Sequence, residues 1–142
     1  QLAALIIEAF KRYQHHFQQA NCELIQSFPK TLEFTSSWYV SMHKGGHLSP
    51  HIHEIGWISG AVYLAMPKTN GDEGAFEYGT HGDNYPIQAS KTIRDFPTSS
   101  ILPKVGDIVL FPSSLFHRTI PFQSNDKRIC IAFDLKPQTN TD

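Results

Sequence analysis

Pro29 divides the chain into two stretches with different hydrophobic periods, and that switch limits the fold more than any other feature. Before it, Leu2, Leu5, Ile6, Ala9, Phe10, Tyr13, Phe17, Ala20, Leu24 and Phe28 recur at three- and four-residue steps. Glu8, Lys11, Arg12, Gln14, Gln18 and Gln19 lie opposite, so residues 2–28 read as an amphipathic helix whose apolar stripe packs on a core. Asn21 is a candidate break, able to end one helix and cap a second. After Pro29 the segments 31–42, 57–66, 74–79, 106–111 and 128–135 are short and rich in Val, Ile, Phe, Tyr and Trp. Gly, Pro, Asn, Asp and Ser separate them. Many short strands behind one helical lead-in predict a mainly β protein, a barrel or jelly roll with an N-terminal helical buttress. The expected division is a helical segment over 1–30, a β domain over 31–137 and a tail over 138–142. The stretch 80–100 is polar and turn-rich, longer than an ordinary connection, and is expected to be a mobile loop over a site.

With 142 residues the chain fits one domain with a proper core. Its 12 basic and 13 acidic side chains leave no clustered positive charge of the kind a nucleic-acid surface needs. No apolar run reaches the roughly 18 residues of a membrane span, and no signal-peptide pattern opens the chain. Cys22 and Cys130 are far apart and make no metal-type spacing, so a reducing cytoplasm is the default compartment. The chain opens on Gln1 and not on Met, which reads as a mature fragment or an excised domain.

Histidine is the commonest transition-metal ligand, and the chain has eight, four of them between His43 and His53. In an extended segment His51 and His53 point to one face, side by side. His117 is a third candidate, presented after the strand-like run Ile108–Phe111 and a Pro-Ser turn. Arg128 heads the apolar run Ile129-Cys130-Ile131-Ala132-Phe133, where a guanidinium is costly to bury unless it meets an anion. An ordinary salt bridge to Asp134 or Asp126 would also satisfy it. Within Ser59–Met66, Ser59, Ala61, Tyr63 and Ala65 share one face, with Gly60, Val62, Leu64 and Met66 on the other. His15, His16 and His81 read as helix-surface and loop residues, and Cys130 as a buried, inert thiol.

His51-Ile52-His53, Ser59-Gly60-Ala61-Val62-Tyr63-Leu64, Gly74 with Phe76, Gly106–Pro112, His117 and Arg128-Ile129-Cys130 occur in an order that is similar to one family. They resemble the double-stranded β-helix (jelly-roll, cupin-like) oxygenases that use Fe(II) and 2-oxoglutarate, most of all a small branch carrying His-x-His before Ser-Gly-x-x-Tyr-Leu. The resemblance covers roughly residues 37–135. It implies a hydroxylase acting with O2, with His51 and His117 as iron ligands. It also implies that Arg128 holds the far carboxylate of 2-oxoglutarate and that Tyr63 donates to the same group. Ser59, Trp57 and His47 are candidate pocket residues, although Tyr63 reads equally well as a core aromatic and Trp57 reads better as one.

One position departs from the pattern. Most of the superfamily has His-x-Asp, and here the third position is His53. Glu54 faces the opposite side of an extended strand. Either His53 completes a three-histidine face like that of thiol dioxygenases, or a carboxylate arrives from elsewhere, with Asp83 in the long loop as the nominee. Three outcomes are open: a 2-oxoglutarate oxygenase, a cupin-type three-histidine dioxygenase working without 2-oxoglutarate, and an oxygenase-derived binding module without catalysis. The branch includes proteins with helical repeats ahead of the oxygenase domain, which makes a protein or peptide one option for the substrate. Small molecules are another, and the oligomeric state is left open.

Overall fold

The computed structural model describes residues 1–82 and 97–138. Two helices, α1 (Leu2–Phe17) and α2 (Glu23–Gln26), precede eight strands. These are β1 (Leu32–Met42), β2 (Leu48–His51), β3 (Ile58–Ala65), β4 (Phe76–Tyr78), β5 (Ser99–Ile101), β6 (Ile108–Pro112), β7 (His117–Thr119) and β8 (Arg128–Pro137). They form two four-stranded sheets, β1-β8-β3-β6 and β2-β7-β4-β5, with antiparallel pairing throughout. This is the jelly-roll architecture that the strand pattern predicts. No helix among the described residues is long and apolar enough to cross a membrane.

The larger sheet has two working faces. On the outer one, Ile58 and Val62 of β3 and Phe133 and Leu135 of β8 form a core with Ile6 and Phe10 of α1. Tyr13, Leu24, Phe28 and Trp57 pack against this cluster. Part of the helical stripe read from the sequence is therefore buried on the sheet, while Leu2, Leu5 and Phe17 stay exposed. Its continuity breaks after Phe17: Cys22, with extended backbone, is the cap residue of α2, and Asn21 instead accepts a hydrogen bond from Gln26 Nε2 at 2.8 Å. Gly60 is needed at the centre of this packing, because a Cβ there would lie 2.6 Å from both the Phe133 ring and the Val109 carbonyl oxygen.

The inner face of the same sheet is laid down in cross-strand rows. Residues two apart on β8 share a face, so Arg128, Cys130, Ala132 and Asp134 all point inward. Opposite Asp134 stand Ser36 and Ser59, opposite Ala132 stand Trp38 and Ala61, and opposite Cys130 stand Val40 and Tyr63. The middle row holds two alanines, and small side chains there leave room for a cavity. The expected alternation of β3 holds through Tyr63, beyond which a register shift between Tyr63 and Ala65 leaves Leu64 45% exposed.

Five strands lie within the predicted segments or within two residues of them. Three do not: β2, β5 and β7 have only three or four residues each, too few for a period to show. The loop expected over 80–100 ends in β5, and its residues 83–96 lie outside the described residues, as do 139–142.

Candidate metal centre

Two short strands of the smaller sheet bring the histidines together. His51 ends β2 and His117 begins β7, and the two are direct register partners. Side chains directly opposite in an antiparallel pair approach closely, and these rings lie 4.3 Å apart. His53 follows two residues after His51, held by its own N–H on the Ser113 carbonyl at 2.9 Å. Its ring stacks on that of His51 at 5.3 Å and lies 5.0 Å from that of His117. One ring nitrogen from each of the three falls within 4.8 Å of the other two.

The same network assigns the tautomers. Nδ1 of His51 faces the Ser49 carbonyl at 2.7 Å, Nδ1 of His117 the Leu115 carbonyl at 2.9 Å, and Nδ1 of His53 the Asp134 Oδ1 at 2.5 Å. All three partners accept only, so each Nδ1 carries a proton and Nε2 is the nitrogen left for a metal. Burial pushes the His117 pKa down to about 4, which keeps that ring neutral at pH 7. Neutral imidazoles oriented through the far nitrogen are the donor set that Fe, Zn, Cu or Ni accepts. The residues present fit a divalent ion.

Arg128 is 2% exposed, yet no carboxylate pairs with it among the described residues. Its Nε donates to the Gly74 carbonyl at 2.9 Å, and Nη2 donates to the Tyr63 hydroxyl at 3.4 Å with the guanidinium 5.0 Å from the ring centre. Gly74 has φ +77°, a conformation that glycine adopts without strain. Because the Tyr63 oxygen accepts from Arg128, its own proton is available to a further acceptor. Burial pushes the Tyr63 pKa up to about 12, so the phenol stays protonated. The two salt bridges open to Arg128 from the sequence are not made. Asp126 accepts from the Lys68 N–H, and Asp134 is taken by His53, Ser59 and Ser36.

Histidines and arginine share one cavity of about 140 Å³ between the sheets, walled also by Trp38, Tyr63, Phe76 and Phe111. Drug-sized ligands fill roughly 300–1,000 Å³, so this space suits a small acid. An open groove of about 960 Å³ between α1 and β6 is larger but carries none of the three histidines and not Arg128, so size alone points away from the chemistry.

Ser59, Trp57 and His47 do not line the inner cavity. Ser59 is fully buried beneath it, donating to Asp134 Oδ1 at 2.6 Å and touching Ser113 Oγ at 2.7 Å. Trp57 packs with the helices on the outer face, and His47 is exposed with Nδ1 3.2 Å from the Gly45 carbonyl. Glu54, His43 and His81 are exposed, and Asp83 lies outside the described residues. The sequence reading passed over Asp134 as a member of the site. Burial pushes its pKa up, but the hydrogen bonds from His53, Ser59 and Ser36 outweigh that, and the net shift is downward. An aspartate inside an otherwise apolar strand was the available signal.

A histidine face that could hold a metal and a buried cation stand together between the sheets of a jelly roll. The family model described as "Putative 2OG-Fe(II) oxygenase" matches residues 36–134, more than half of the chain, and the chain belongs to that family. Among solved structures, HygX from Streptomyces hygroscopicus with nickel and 2-oxoglutarate bound is similar at 18% identity and TM-score 0.57, over 75% of this chain and 57% of that one. A prolyl-4-hydroxylase from Pseudomonas putida is similar at 14% identity and TM-score 0.57, over 92% of this chain and 63% of that one. AviO1 from Streptomyces viridochromogenes Tue57 is similar at 16% and 0.58, over 76% and 52%. At these identities the likeness is one of fold, and the chain spans less than two thirds of the length of each. Among curated proteins no relative matches the chain.

Proposed function

We propose that the protein is an Fe(II)- and 2-oxoglutarate-dependent oxygenase of the hydroxylating kind. His51, His53 and His117 would hold the metal, and Arg128 with Tyr63 would hold the far carboxylate of the co-substrate. The observation that carries this reading is a buried guanidinium without a carboxylate partner among the described residues, in the same small cavity as three converging histidine nitrogens. A guanidinium and a phenol hydroxyl are good donors to a carboxylate. A dicarboxylate anchored there presents its keto-acid end toward the histidine face. When bound, the metal supplies oxidative decarboxylation of 2-oxoglutarate to succinate and carbon dioxide, one atom of O2 entering succinate and the other the substrate. The protein's own residues orient and enclose. Phe76 and Phe111 lie 5.1 and 4.4 Å from the His117 ring, apolar walls that exclude water. Trp38, 39% exposed and 5.5 Å from the His53 ring, is a cavity wall that also reaches the surface, where it could meet a substrate too large for the cavity.

The three-histidine set also suits a cupin-type thiol dioxygenase, and one experiment separates the two. Protein loaded with Fe(II) is supplied with 2-oxoglutarate in air, and succinate is followed by NMR. Succinate release that is lost in His51→Ala supports the proposal. Oxygen uptake with cysteine-like thiols alone, without succinate, assigns the rival chemistry. Metal content unchanged by both His51→Ala and His117→Ala refutes the metal reading and leaves a binding module.

A further inference from the structure

Three neutral imidazoles bring no negative charge to a cation. The cavity they line already holds a second positive charge on Arg128, without a carboxylate partner among the described residues, and buried charges are stable only when balanced. One carboxylate touches the histidine face among the described residues. Asp134 Oδ1 lies 2.5 Å from Nδ1 of His53, on the side away from the converging Nε2 atoms. Its setting is built for an anion. Its register partners on both neighbouring strands are serines, and each donates to it: Ser59 to Oδ1 at 2.6 Å and Ser36 to Oδ2 at 3.0 Å. Ser59 is braced in turn by Ser113 at 2.7 Å. A group that accepts three hydrogen bonds and donates none is an ionised carboxylate.

We infer that Asp134 is the positioning residue of the metal centre, holding the His53 ring in register and supplying through it the negative charge that the three imidazoles lack. The inference rests on the reading of His51, His53 and His117 as ligands. With it, the charges close: a divalent ion and Arg128 carry three positive charges, and a bound dicarboxylate and Asp134 carry three negative ones. A carboxylate behind a ligating histidine makes the imidazole a stronger donor and fixes its orientation. Position 53 therefore acts as a relay between ion and carboxylate, with Asp134 one imidazole away from the metal.

The test is a double-substitution cycle read by calorimetric titration with Mn(II), which needs no turnover. Asp134→Asn keeps an oxygen facing Nδ1 of His53 and removes the charge. It is expected to weaken Mn(II) binding by roughly 10–100-fold, the range typical of such partners. In a His53→Asp background, where a carboxylate faces the ion directly and the relay is gone, the same change is expected to cost less than about threefold. The visible bands of the Co(II) form are expected to shift in Asp134→Asn and not between His53→Asp and the double variant. Asp134→Ser is a second neutral variant, small enough to keep hydroxyl contact with Ser36 and Ser59, so the test does not hang on one protein folding. Equal losses in both backgrounds, or Mn(II) binding by Asp134→Asn within about threefold of the parent, overturn the inference. Unchanged Mn(II) binding in His51→Ala overturns the ligand reading beneath it, a separate outcome.

Discussion

Replacing Arg128 by methionine should separate binding from stability, with opposite signs. Methionine matches the length of the aliphatic stem and carries no charge. On the proposed reading Arg128 is the anion anchor, and truncating one partner of a buried, hydrogen-bonded charge pair costs about 2–5 kcal/mol. At about 1.4 kcal/mol per decade that is roughly a 30- to several-thousand-fold loss in 2-oxoglutarate affinity. The free protein responds differently. Removing the guanidinium strands the Gly74 carbonyl that accepts from Nε at 2.9 Å, a cost of about 1–3 kcal/mol. Against this, a cation 2% exposed and without a carboxylate partner among the described residues carries a desolvation penalty of several kcal/mol, which methionine does not. The two nearly cancel or favour the variant, so the urea midpoint should hold or rise. Calorimetry of 2-oxoglutarate on the Mn(II)-loaded protein and urea denaturation of the metal-free protein measure the two halves, while Mn(II) affinity itself should stay or increase slightly. Co-substrate affinity within threefold of the parent, together with a stability loss above about 3 kcal/mol, would mean that Arg128 is a structural residue and would refute the reasoning.

The remaining expectations are narrower. Tyr63→Phe should weaken 2-oxoglutarate binding by roughly 10- to 150-fold, the value of one hydrogen bond to a charged group, with Mn(II) affinity unchanged by calorimetry. Metal-free protein should lose stability on acidification. The folded-state pKa of His117 is depressed to about 4 from 6.5, so the unfolded chain binds the extra proton, and a contribution complete above pH 6.5 disappears toward pH 4. The full effect is about 3 kcal/mol, and denaturation midpoints of His117→Asn between pH 7 and 4.5 should slope less steeply than those of the parent. Gly60→Ala should cost about 1–3 kcal/mol in urea denaturation, because its Cβ would meet the Val109 carbonyl and the Phe133 ring at 2.6 Å.

What could be read from the sequence follows from the length over which a pattern must run to show itself. The change of period at Pro29 needs only local windows, and α1, β1, β3 and β8 are long enough to supply them. His51 and His53 are visible as a pair because extended backbone puts alternate residues on one face. Arg128 stands out as a charge at the head of an apolar strand. His117 shows locally as a histidine presented after a strand-like run and a Pro-Ser turn, but its pairing with His51 does not, since β7 has three residues and joins β2 across positions far apart in sequence. Asp134 was legible only as an anomaly. Its partners Ser36, His53 and Ser59 lie 98, 81 and 75 residues away, joined through sheet register, which no local pattern encodes. The same blindness explains Ser59: the strand face was read correctly, but whether that face opens on a cavity or on a buried carboxylate depends on what lies opposite.

The inner face of β8 shows why one strand governs both ends of the site. Arg128 and Asp134 share a face because six residues is a whole number of pleats, and at about 3.3 Å per residue their backbones are roughly 20 Å apart. Between them stand Cys130 and Ala132, which carry no charge: the thiol beside Arg128 is pushed up in pKa by burial and stays protonated. Cation and anion are thus held at opposite ends of a rigid element with neutral, small side chains between, and they cannot neutralise each other. On the proposed reading, a ligand that is anionic at one end and metal-chelating at the other would satisfy both ends only in one orientation, its free carboxylate at Arg128 and its chelating end toward the histidine face.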